Sequence, residues 1–169
     1  DVALPTTLQA LLVFGEWASS MSFMPLFAAS LGADDILKSL LVTVAMACNT
    51  AGNLLSAWLE RRLPPAALVG LSFGLLVLGI AAGAVAPGLA FVFVAAGLVE
   101  LGTGMGYPTL VGLTLRRVDQ AERSTAAGMH QSLYAVGMFG GPWVGGLIAR
   151  AVGLRVMFAV VAAIGAVLA

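Results

Sequence analysis

The sequence predicts an all-α, polytopic membrane protein with six transmembrane helices in two three-helix repeats, and three observations carry that expectation. Hydrophobic residues make up 60% of the 169 and charged residues only 9%, with a mean hydropathy of +1.03. That leaves too little polar surface to cover a water-soluble globule. The apolar residues fall into long runs, and the short breaks between them hold most of the charge. Polar residues inside the runs recur in the order polar, polar, apolar, polar, polar, apolar, so the third run of each repeat meets lipid and the first two line something wet.

The runs are drawn at about 7–30, 36–59, 65–86, 89–115, 124–149 and 154–169. In the first, Glu16, Ser19 and Ser20 share a helix face at i, i+3 and i+4, with Trp17 adjacent. Glu16 falls roughly nine residues into the run, nearer the cytoplasmic side. The second run carries Asn49, Asn53 and Ser56 down one face to Glu60, whereas the third offers only Ser72. The fourth bears Glu100, Thr103, Gly104 and Tyr107 on one stripe and no other charge from Leu89 to Leu115. Glu100 therefore sits ~16 Å from the start of its helix, near the bilayer midplane. His130, Gln131 and Tyr134 mark the fifth run. The sixth has nothing polar past its opening break, and at ~22 Å it is short of the ~30 Å hydrocarbon core. With no initiator Met, both ends read as cut, and the chain is expected to be a single six-helix domain of a longer polypeptide.

Arginines set the orientation. The second and fourth breaks hold Arg61, Arg62, Arg116, Arg117 and Arg123, which places them in the cytoplasm; Arg150 and Arg155 in the fifth run against this. A formal net charge of zero, with Lys and Arg scattered between apolar runs, excludes a nucleic-acid partner. Cys48 is the single cysteine, no Cys/His cluster has metal-ligand spacing, and no cofactor or nucleotide site is expected. The first run lacks the layout of a signal peptide.

Gly70 and Gly74, Gly79 and Gly83, and Gly137, Gly141 and Gly145 recur every four residues, which lets membrane helices approach closely. Three motifs go further. Gly52-x3-Ser56-x3-Glu60-Arg61-Arg62 resembles the cytoplasmic signature of the major facilitator superfamily of secondary transporters, with Glu60 for that signature's Asp and Leu63-Pro64-Pro65 in place of its Gly-Arg. Gly137-x3-Gly141-Pro142-x2-Gly145-Gly146 is similar to the fifth helix of drug/proton antiporters of that family and, more loosely, to the eleventh. Phe23-x-Pro25-Leu26-Phe27-x3-Leu31-Gly32 resembles the outer end of helix seven in efflux members. Glu100, four residues before Gly104, stands where the family's first half usually has an Arg. The resemblance thus implies the second half, helices seven to twelve, with the first half as the alternative. It also implies alternating access about a midplane cavity, with the first, second, fourth and fifth helices of each half contributing.

The expected role is proton-coupled efflux of drugs or other small organic solutes from the cell (inner) membrane, not enzymatic. Uptake of a sugar or metabolite is the alternative within the family. Partners would be the solute, protons, the lipid bilayer and the other six-helix half of the same polypeptide. Glu100 is the proposed proton carrier, since a carboxyl withdrawn from water favours its protonated form. Glu16 either attracts a cationic solute beside Trp17 or is an interfacial acid in the aromatic belt. Asn49, Asn53, Tyr107, His130, Gln131 and Tyr134 complete the candidate pathway, though hydrogen bonds between helices would also account for the Asn and His residues. Glu60, Arg61 and Arg62 form a candidate charge-paired cytoplasmic gate. Gly137, Gly141, Pro142, Gly145 and Gly146 serve packing, and Pro25, Pro108 and Pro142 mark possible kinks. Gly70-Leu71-Ser72-Phe73-Gly74 fits the Gly-x-Ser-x-Gly of serine hydrolases, but a helix with no wet face offers no nucleophile elbow. A non-transporting scaffold would have no use for a midplane acid.

Overall fold

The computed structural model describes residues 2–116 and 118–168; Arg117, counted above in a basic break, and the end of the sixth predicted run lie outside them. The described residues are helical and contain no strand. Helix α1 spans Ala3–Glu16, a π-helical turn spans Trp17–Met21, and α2 (Met24–Ser30) completes the first crossing. Then follow α3 (Asp35–Leu59), α4 (Pro65–Val85), α5 (Leu89–Leu115), α6 (Arg123–Val152) and α7 (Leu154–Leu168). Five spans, of which Ala3–Ser30 is the first, are long and apolar enough to cross a membrane, and α7 is a shorter apolar helix.

Local chemistry sets the ends. The Asp34 carboxylate accepts the Leu37 amide at 2.8 Å and caps α3. Pro65 opens α4, where its missing N–H is no loss. Gly153, at φ 85°, reverses the chain between α6 and α7 in a backbone region that disfavours side chains.

The first crossing differs from the single helix expected over 7–30. It starts at Ala3 and is interrupted in the middle by the π turn and by Ser22 and Phe23. Ser19 donates to the Gly15 carbonyl at 2.6 Å, and Pro25 has no N–H to continue the ladder. Pro108 and Pro142, by contrast, lie inside α5 and α6, and both helices continue past them.

Backbone-tight seams hold the helices. A Cβ at Gly79 would come within 2.8 Å of the Ala95 carbonyl, and one at Gly102 within 2.6 Å of the Ser72 carbonyl, so α4 lies directly on α5. Gly52 and Gly104 meet the Leu101 and Asn49 carbonyls across the α3–α5 seam. Gly137 and Gly141 meet the Ala10 and Phe14 carbonyls across the α1–α6 seam, and Gly145 and Gly146 face the Phe23 ring. Gly70 and Gly74 are the exceptions to the expected pattern: both are exposed, with nothing within 4 Å of a Cβ, because their stripe of α4 points away from its neighbours. The first crossing and α5 form the core, 50% and 56% buried over their apolar windows, against 22% for α3 and 17% for α6.

Arg155 is held by local contacts. Its guanidinium donates to the Ala84 and Ala86 carbonyls at 3.1 and 2.7 Å and lies 4.9 Å from the Phe27 ring centre. It closes the C-terminal end of α4, where a cation is favoured.

Candidate functional site

A cavity of about 400 Å³ opens between four helices. Gln9, Val13 and Glu16 of α1 with Trp17 and Met21 of the π turn line one side. Met46, Asn49 and Asn53 of α3, Thr103 and Tyr107 of α5, and Tyr134 of α6 line the rest. Neither α4 nor α7 contributes a lining residue, and no Lys, Arg or His does.

Glu16 and Glu100 meet at the back wall. Glu16 stands midway along the 28-residue crossing Ala3–Ser30, deeper than the sequence expectation, which began the helix four residues late. The Glu16 carboxyl lies beside that of Glu100, and Ser20 approaches the same group. Glu100 is fully buried just behind the lining, whereas Glu16 is 9% exposed and faces the cavity. The Asn49 amide donates to Glu100 Oε2 at 3.0 Å and to Thr103 Oγ1 at 3.2 Å, while Asn53 donates to Asn49 Oδ1 at 3.1 Å. Glu100 Oε1 and the Ser20 hydroxyl have no hydrogen-bond partner, and neither does the Trp17 indole N–H.

Tyr107 and Tyr134 pack edge to face, with ring centres 5.9 Å apart, and Gln131 donates to the Tyr107 hydroxyl at 3.1 Å. The two tyrosines form the end of the cavity nearer the second and fourth breaks, whereas Gln131, expected in the pathway, lines a separate void instead. His130 is not part of the wall. It lies a turn beyond Tyr134, where α5 and α6 converge, with Nδ1 3.0 Å from Thr114 Oγ1, beside a separate void of about 50 Å³.

The candidate gate is arranged differently from the charge pairing expected of it. Thr109 donates to Glu60 at 3.3 Å, and Ser56 lies 3.0 Å from the same hydroxyl. Arg62 stacks on Trp58 at 4.1 Å, so Glu60 is joined to α5 rather than to Arg61 or Arg62. The one ion pair among the described residues is Lys38 with Asp35, at the opposite end. Ser72 donates to the Gly102 carbonyl at 2.6 Å and is fully buried, a packing contact with no base beside it.

Gln9 was missed. It is fully buried in the cavity wall with both polar atoms unpartnered. It stands two turns before Glu16 on the same stripe, a signal present in the sequence but hidden by drawing the helix from residue 7, which made Gln9 an interfacial residue. Met21 and Met46 carry no such signal, since apolar residues on a membrane helix are uninformative about which face they occupy.

No curated protein matches the chain. The family model for the Major Facilitator Superfamily matches residues 6–169. A cavity walled by the first, second, fourth and fifth crossings agrees with that match, and the chain belongs to the Major Facilitator Superfamily, whose members move small solutes across membranes.

Proposed function

We propose that this chain is the second six-helix half, helices seven to twelve, of a proton-coupled exporter of drugs or other small organic solutes in the cell (inner) membrane. The observation that carries the reading is the Glu16–Glu100 carboxyl pair at the cavity wall, midway along two crossings. Ionising both acids sets two negative charges side by side where little water screens them. A proton, or a cationic solute in its place, relieves that repulsion, and exchanging one for the other couples the two flows. Support for export comes from the Gly137-x3-Gly141-Pro142-x2-Gly145-Gly146 likeness, and support for the second half from Glu100 standing where an Arg is usual in the first.

The test is Glu100→Gln in the full polypeptide reconstituted in liposomes. The amide keeps the size of the side chain and its contact with Asn49 but carries no exchangeable charge. Transport driven by a pH gradient should be abolished while expression and folding are unchanged. Undiminished gradient-driven flux in that variant overturns the proton role.

A further inference from the structure

We infer that the cavity is built for an elongated organic cation, with a protonated amine at Glu16 and a neutral hydrogen-bonding group at Gln9, about 10 Å apart along α1. The inference deepens the carboxyl-pair reading above and depends on it. The amine end follows from charge. Glu16 is the acid that faces the cavity, Glu100 is directly behind it, and among the described residues no cationic side chain lines the space to compete. The rings of Trp17 and Tyr134 stand in the same wall, where a cation gains from their π faces.

The second end follows from an orphan. Gln9 is fully buried, lines the same cavity, and has neither a donor for its Oε1 nor an acceptor for its Nε2. Buried amides are almost always paired, so a glutamine held open at this depth calls for a partner that both accepts and donates. A carboxamide or a hydroxyl does so; a hydrocarbon does not. Val13 separates the two polar points on the α1 stripe, which places an apolar stem between them. A volume of about 400 Å³ lies within the range of small-molecule sites, about 300–1,000 Å³.

The experiment measures equilibrium binding of two probes to the purified full polypeptide in lipid nanodiscs. One probe is an ω-aminoalkanamide whose amide lies about 10 Å from its amine. The other is the n-alkylamine of equal length. The unaltered protein should bind the amide-bearing amine about tenfold more tightly, the effect of one well-placed hydrogen bond. Gln9→Leu should erase that preference while retaining the alkylamine, and Gln9→Met serves if the leucine variant does not fold. Glu16→Gln should weaken both probes together. Equal affinities in the unaltered protein, or a preference that survives loss of the Gln9 amide, overturn the two-point site. Failure of both probes to bind also overturns it; proton coupling is then judged separately by the Glu100→Gln flux.

Discussion

Two substitutions of the same chemistry should act in opposite directions, because the structure gives the two glycines opposite surroundings. At Gly104 a Cβ would overlap the Asn49 carbonyl and also crowd the Asn49 Cα at 3.0 Å, both main-chain atoms that no rotamer change can move. At Gly74 a Cβ meets nothing within 4 Å. Gly104→Ala must therefore push α3 off α5, an overpacking cost of about 1–3 kcal/mol. The same displacement lengthens the 3.0 Å bond from Asn49 to Glu100. Gly74→Ala gains helix propensity without a clash, by roughly 0.5–1 kcal/mol. Thermal unfolding of the full polypeptide in detergent, followed by tryptophan fluorescence, should place the two variants on either side of the unaltered protein. Solute flux should fall in Gly104→Ala alone. If Gly104→Ala proves neutral, or Gly74→Ala is equally destabilising, the backbone seam between α3 and α5 is not what positions Asn49 against Glu100.

Two further outcomes follow from contacts outside the cavity. Ser72→Ala removes the hydrogen bond to the Gly102 carbonyl and should lower stability by about 1 kcal/mol with flux intact, and the unaltered protein should take no label from a fluorophosphonate probe. Arg155→Met retains an apolar stem against Phe27 but frees the Ala84 and Ala86 carbonyls, and should cost about 1 kcal/mol in the same unfolding assay without changing membrane orientation as read by cysteine accessibility.

The crossings were legible in the sequence because a membrane enforces them: every backbone polar group must be satisfied within a helix, so apolar length alone marks a span. The polar stripes were legible because Asn49, Glu100 and Tyr134 have no place in hydrocarbon without partners. Depth was not legible. It depended on where the first helix starts, and the four residues from Ala3 to Thr6 decided whether Glu16 sat near an interface or beside Glu100, and whether Gln9 counted as buried. The π turn at Trp17–Met21 was hidden because its residues have no distinctive helix propensity. Gly70 and Gly74 show the limit of spacing rules, since a four-residue repeat identifies a face that can be packed and not whether a neighbour packs it. His130 shows the same limit in another form: polar, intramembrane and on a plausible face, it lies one turn past the cavity.

The unpartnered polar atoms are distributed in a way that ties fold to function. Buried polar groups left open are rare in native proteins. Here Gln9, Trp17, Ser20 and Glu100 are found together around one cavity, and His130 Nε2 is the exception among those identified. An ordinary helix bundle would remove such a cluster by closing on it. The glycine seams oppose that. They lock α1 to α6 on one side and α3 and α4 each to α5 on the other, through main-chain contacts that leave no slack. Glu16 belongs to the first group and Glu100 to the second, so the carboxyl pair stands where α1 meets α5, a junction also packed by Leu12 against Gly106. Occupancy of the cavity by a proton or by a cation would relieve the repulsion of two ionised acids carried on different helices, α1 and α5, and so favour the contact between them.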